Sequence, residues 1–163
     1  MSELAYLSLG SNLGDREDHL NQAITKLNSL GTVKRVSSLY ETDPVEFVEQ
    51  PVFLNCAVAL RTDLSPTELL HQILNIERSL GRQRIQKKGP RTIDIDILLF
   101  GDRVIKSADL TIPHPAMAQR RFVLLPLTEI APGVHHPVLN KTAQKLLQEL
   151  PPGQKVWKFC KTQ

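Results

Sequence analysis

Two stretches of helical spacing, each bracketed by strand-like runs, narrow the folds open to this chain to a few. Residues 16–30 carry apolar side chains at Leu20, Ala23, Ile24, Leu27 and Leu30, and the stretch to about residue 80 does so at Leu69, Leu70, Ile73, Ile76 and Leu80. Both patterns gather the apolar groups on one helical face. Asp15 is placed to cap the first helix and Gly31 to stop it. Ser65-Pro66-Thr67-Glu68 opens the second, with Ser65 as N-cap, proline at the first helical position and Glu68 closing the capping box. Strand-like runs lie at 5–9, 33–42, 53–61 and 92–100. The order strand–helix–strand–strand–helix–strand is a split βαβ arrangement, an antiparallel-rich sheet with helices on it. Further short strands are expected at 104–105 and 110–112, short helices at 122–130 and 142–150, and an edge strand at 156–159. No repeat or long linker interrupts the 163 residues, so one domain over 1–163 is expected.

The run Thr92-Ile93-Asp94-Ile95-Asp96-Ile97-Leu98 alternates strictly around two acids. In a strand, residues two apart share a face, so Asp94 and Asp96 project together, about 7 Å apart along the backbone. Ile93, Ile95 and Ile97 then point the other way into a core. Adjacent carboxylates repel unless a cation sits between them. A hard divalent ion meets that need, and Mg²⁺ takes one or two carboxylates plus phosphate oxygens. Just before the strand, residues 82–91 hold five cations (Arg82, Arg84, Lys87, Lys88 and Arg91) and no acid. Arginines bind phosphate oxygens as paired donors. Acids for a metal beside cations for phosphate is the combination a polyphosphate requires. A solvated charged loop before a strand with a polar face would have the same composition.

His114 lies between Pro113 and Pro115 in a stiff extended segment, with Arg120 and Arg121 close behind. His135-His136 reads as a surface turn without a role. Cys56 falls inside an apolar run and reads as a core residue; no Cys/His cluster with zinc spacing exists. The net charge of +3 suits an anionic ligand and does not call for nucleic acid. No apolar stretch has the length of a membrane span and no secretory signal is evident, so a cytoplasmic protein with reduced thiols is expected.

Gly10-Ser11-Asn12-Leu13, Gln50-Pro51-x-Phe53-Leu54-Asn55 and above all Gly89-Pro90-Arg91-Thr92-Ile93-Asp94-Ile95-Asp96-Ile97-Leu98 resemble the 6-hydroxymethyl-7,8-dihydropterin pyrophosphokinases of folate biosynthesis. Pro113-His114-Pro115-x-Met117 and Arg120-x-Phe122-Val123-Leu124-x-Pro126-Leu127 continue the match, which runs from about residue 5 to 132. The resemblance implies an α+β, ferredoxin-like three-layer α/β/α sandwich with a mainly antiparallel sheet. It implies transfer of the β,γ-diphosphate of ATP to a pterin hydroxymethyl group, release of AMP, and two Mg²⁺ ions. By matching position, Asp94 and Asp96 would bind both metals, and Arg82, Arg84 and Arg91 would contact phosphates with help from Arg120. His114 and Thr111 would lie on the nucleotide side, and Glu77 and Ile97 would line the adenosine pocket. Phe53 and Phe122 would stack on the pterin faces. Asn55, Thr42, Asp43 and Val45 would serve its edge, with Asp94 nearby. Arg82 and Arg91 would join the two acids in catalysis. Lys88 stands where the family often has Trp.

Two other readings remain at this level. A split βαβ sheet with basic loops can bind RNA, but it then needs exposed aromatics on its central strands; residues 92–100 offer two acids instead. A metal-dependent phosphohydrolase would consume ATP without a pterin acceptor. A monomer acting on small molecules, without nucleic acid or membrane, is expected.

Overall fold

The computed structural model describes residues 2–42, 52–81 and 92–159. Strand β1 (Glu3–Ser11) is followed by helix α1 (Arg16–Leu27), strands β2 (Thr32–Val36), β3 (Tyr40–Thr42) and β4 (Phe53–Thr62), helix α2 (Pro66–Ser79) and strand β5 (Asp94–Phe100). Two-residue strands β6 (Ile105–Lys106) and β7 (Thr111–Ile112) lead through a 3₁₀ turn at Met117–Gln119 to helix α3 (Arg121–Ile130). Strands β8 (His135–His136) and β9 (Lys141–Thr142), helix α4 (Ala143–Glu149) and strand β10 (Val156–Lys158) complete the described chain. The main sheet runs β10-β3-β4-β1-β5, with β2 beside β3 on the same flank of β4, and every pairing is antiparallel. Helices on both faces of this sheet make it the split βαβ arrangement that the order of periodicities predicts, and the ferredoxin-like α+β sandwich that the resemblance implies.

The strand expected at 33–42 is two strands. At the break, Ser37 exchanges bonds with Ala57 through its side chain as well as its backbone. Ser37 N–H donates to the Ala57 carbonyl at 2.9 Å, while Ala57 N–H donates to Ser37 Oγ at 2.8 Å. A serine hydroxyl thus takes the place of a ladder carbonyl, the competition with regular structure that short polar side chains offer.

Helices α1 and α2 cover one face. Leu20, Ala23 and Leu27 of α1 and Leu69, Ile73 and Ile76 of α2 pack on Leu7, Leu9, Leu54, Val58, Ile95 and Ile97. Each buried leucine, isoleucine or valine among them contributes about 2 kcal/mol. Asp15 caps α1 by accepting Asp18 N–H, and the capping box at Ser65 and Glu68 is present in full. Helix α1 ends at Leu27, three residues short of the expected end, because Asn28 takes over as cap and its side chain accepts Val33 N–H at 3.0 Å. Gly31 is needed for another reason: a Cβ there would lie 2.1 Å from the Arg61 carbonyl of β4. Leu70 of α2 and its C-cap Leu80 are half-buried, and Glu77 is buried.

Helices α3 and α4 cover the other face, where Ala57 and Ala59 leave room for Val123, Leu124, Leu127 and Ile130 to approach β4. Strand β5 carries a bulge there. Tyr6 pairs with Leu99 and Leu7 with Ile97, so Leu98 is the extra residue. Leu98 and Leu99 both enter the α3 core, and the Leu98 carbonyl accepts His114 N–H at 2.9 Å. His136 is not a bystander in a surface turn. It is buried, and its Nδ1 accepts the N–H groups of Val138 and Leu139. Strand β10 forms the outer edge on β3, as expected. No helix among the described residues is long and apolar enough to cross a membrane.

Candidate active site

One row of residues across the sheet defines the site. Tyr40 of β3 pairs with Asn55 of β4, Asn55 pairs with Gly10 of β1, and Gly10 pairs with Asp94 of β5. Directly paired residues share a face, here the face that α3 covers further along the strands. Asp96 lies one step inward opposite Ser8, and Thr42 and Phe53 pair one step outward. Gly10 opens a gap in the row. A Cβ on it would lie 2.8 Å from Asn55 Nδ2 and 3.7 Å from the Phe53 ring. Among the described residues, Asn55 Oδ1 and Thr42 Oγ1 are buried there without a hydrogen-bond partner. Buried polar atoms are almost always paired, so two orphans beside a cradle mark a place for a polar ligand.

The acids sit as alternation predicts. Asp94 and Asp96 are half-buried on the α3 side, while Ile93, Ile95 and Ile97 are buried in the opposite core. Strand β5 is the last strand of the sheet, so a ligand along its outer edge can reach both of its faces. Behind it, Glu77 of α2 is 3% exposed and its Oε2 accepts Ile95 N–H at 2.8 Å. The backbone between the two acids is thereby fixed from the far side.

His114 approaches β5 through the Leu98 bulge. Its Nδ1 accepts Ala116 N–H at 3.1 Å, which leaves the proton of the neutral ring on Nε2. Burial first, and then the Arg120 charge, press its pKa below the ordinary value; Asp94 opposes them. The ring is thus a neutral Nε2–H donor between an acid and an arginine. Arg120 precedes α3 and its guanidinium stands 5.5 Å from the centroid of the Phe122 ring, within cation–π range. Thr111, at the start of β7, is half-buried.

The structure therefore brings together Thr42, Phe53, Asn55 and Asp94 in adjoining rows, with Asp96 behind them. Glu77 and Ile97 lie on the other face of β5, toward α2. Asp43, Val45, Arg82, Arg84, Lys88 and Arg91 lie outside the described residues. Cys56 is a core residue whose thiol burial pushes up to about 12, an inert group. Sequence reasoning missed Gly10 as the gap in the row, although it stands in the Gly-Ser-Asn string. It also missed Glu129, which binds β3 to α3. Glu129 accepts Tyr40 O–H, Ser38 N–H and Ser38 O–H.

The family model described as 7,8-dihydro-6-hydroxymethylpterin-pyrophosphokinase (HPPK) matches residues 6–132. The chain is 48% identical over 160 residues to the 2-amino-4-hydroxy-6-hydroxymethyldihydropteridine pyrophosphokinase of Bacillus subtilis, covering 97% of this chain and 92% of that one. It is 42% identical over 155 residues to the protein of the same name from Aquifex aeolicus, covering 95% and 94%. It is also 42% identical over 152 residues to the folic acid synthesis protein FOL1 of Dictyostelium discoideum, where it spans 93% of this chain and 23% of that longer protein. Among solved structures, the wild-type HPPK-DHPS of Plasmodium falciparum with pteroate superposes with a TM-score of 0.73 at 20% identity, covering 91% of this chain and 42% of that one. At that identity the likeness speaks for the fold.

Proposed function

The chain belongs to the 7,8-dihydro-6-hydroxymethylpterin-pyrophosphokinase family, and from that premise we propose how its own residues carry out the reaction. The reaction is transfer of the β,γ-diphosphate of ATP to the hydroxymethyl oxygen of 6-hydroxymethyl-7,8-dihydropterin, a step of folate synthesis that releases AMP. The observation that supports the assignment of the site is the row Tyr40–Asn55–Gly10–Asp94, in which Asn55, whose Oδ1 has no partner among the described residues, and a carboxylate flank a residue without a side chain.

The pterin lies over Gly10. Its amino and ring N–H groups supply the donors that Asn55 Oδ1 and Thr42 Oγ1 lack. Phe53 and Phe122 stack on its two faces, an arrangement worth about 1 kcal/mol beyond burial. Asp43 and Val45 add contacts to the edge. The hydroxymethyl group is then directed along the row toward Asp94.

The acid pair fits Mg²⁺. Two carboxylates project from one face of one strand, and among the described residues no third metal-binding side chain joins them. That set suits an ion whose remaining ligands are phosphate oxygens and water. Asp94 and Asp96 would hold two such ions, which when bound neutralise the polyphosphate and lower the pKa of a coordinated hydroxyl. His114 donates from Nε2 to a phosphate oxygen. Arg120, with Arg82, Arg84 and Arg91, places positive charge where the transferring diphosphate becomes more negative. Glu77 and Ile97 line the adenosine side, reached around the outer edge of β5, with Thr111 nearby. No side chain of the site is required as a general base; alignment and charge neutralisation suffice.

The test is AMP formation from ATP by the purified protein. It should require both the pterin and Mg²⁺; ATP consumption without the pterin would favour a phosphohydrolase.

A further inference from the structure

The strand that carries Thr42 and the strand that carries Phe53 end together, and a third element ties them there. Arg16, the first residue of α1, donates from Nη1 to Glu41 Oε2 at 3.1 Å and to the Val52 carbonyl at 2.9 Å. Glu41 and Val52 sit immediately beside the Thr42–Phe53 pair, the last rung of the β3–β4 ladder among the described residues. The last rung of a ladder is where strands fray. Glu41 points to the α1 face and Thr42 to the opposite one, so Arg16 acts on the acceptor wall through the backbone, from behind.

The C-terminal strand completes the clamp. Trp157 of β10 pairs with Glu41 and donates its indole N–H to Glu41 Oε1 at 3.1 Å, leaving Oε2 to Arg16. Phe159 N–H donates to the Leu39 carbonyl at 2.8 Å, and the Arg16 guanidinium stands 5.8 Å from the Phe159 ring centroid. Arg16 and Glu41 are both about three-quarters buried, so the pair is better shielded from water and salt than a surface contact. Strand β10 lies outside the stretch that the family model matches.

We infer that Arg16, held by Glu41 and by strand β10, is a positioning residue for the pterin. It sets the distance between Thr42 and Phe53 while touching no ligand. The inference rests on the acceptor pocket proposed above.

The experiment is calorimetric titration of the full chain with 6-hydroxymethyl-7,8-dihydropterin, in saturating Mg²⁺ and a non-hydrolysable ATP analogue, alongside titration with the analogue alone. Arg16→Ala removes the bonds to both Glu41 and Val52 and should weaken pterin binding about tenfold, while the analogue binds as before. In steady state the KM for the pterin should rise and kcat should hold, since neither Asp94 nor Asp96 is disturbed. Arg16→Lys, which keeps the charge and loses the forked geometry, should fall between. Trp157→Phe removes the indole N–H and should weaken pterin binding alone. If Arg16→Ala does not fold, Glu41→Gln carries the same expectation. Equal weakening for pterin and nucleotide, or unaltered pterin binding in Arg16→Ala and Glu41→Gln, overturns the inference. A wild-type chain that binds no pterin overturns the acceptor pocket instead.

Discussion

Gly10 faces Asn55 so closely that a Cβ at position 10 would lie 2.8 Å from Asn55 Nδ2. The atom that would have to give way is the tip of a side chain, not backbone. Gly10→Ala should therefore fold with little loss of stability while turning the Asn55 amide away from its place. Pterin binding should weaken about tenfold, the value of one well-placed polar contact, with nucleotide binding unaffected. Calorimetry with each ligand separately checks this; unaltered pterin affinity would remove Asn55 from the pocket.

Glu77 holds the strand between the two acids. Glu77→Ala leaves the buried Ile95 N–H without this acceptor, which should cost about 1–3 kcal/mol. Glu77→Gln keeps an acceptor oxygen and should cost less. Urea unfolding at neutral pH measures both, and turnover should fall with stability because Asp94 and Asp96 flank Ile95. A Glu77→Ala protein as stable as wild type would mean that the bond at Ile95 contributes nothing.

Much of this arrangement is legible in the sequence, for identifiable reasons. The alternation at 92–98 reports both faces of β5 at once, so the acids and the buried isoleucines could be placed without coordinates. The box at Ser65 and Glu68 names its own hydrogen bonds. Other features carry no such mark. Ser37 reads like any strand serine until its hydroxyl is seen bonding Ala57. The bond between Glu77 and Ile95 N–H has no mark in the sequence, since only the folded chain brings the two together. Arg16 did leave a faint sign: a cation at a helix N-terminus is unfavourably placed against the helix dipole, and its partner Glu41 is 25 residues away. That Asn55 Oδ1 and Thr42 Oγ1 lack partners among the described residues is a property of the packing and has no sequence signature.

Tyr40 and Glu129 give the fold a dependence on acid. Partial burial disfavours the Glu129 charge, but hydrogen bonds from Tyr40 and Ser38 outweigh it and hold the pKa below the ordinary 4.5. A carboxyl whose folded value is depressed stabilises the fold above its unfolded value and loses that contribution as pH falls through the folded one. Tyr40→Phe removes one of the bonds, so its urea midpoint should decline less steeply than that of wild type below pH 4.5. Parallel declines would show that the Tyr40 bond does not act through the Glu129 charge.

The pairing of Asp94 and Asp96 on one face of β5 is the centre of the proposed chemistry, and Asp96 offers the cleaner test because it lies inward of the acceptor row. The direct measurement is the rate of AMP formation from ATP, pterin and Mg²⁺ by wild type and by Asp96→Ala, with thermal unfolding of both. The variant should unfold like wild type and turn over at least about a thousandfold more slowly. A folded Asp96→Ala protein that forms AMP at close to the wild-type rate would contradict the assignment of this carboxylate to the metal.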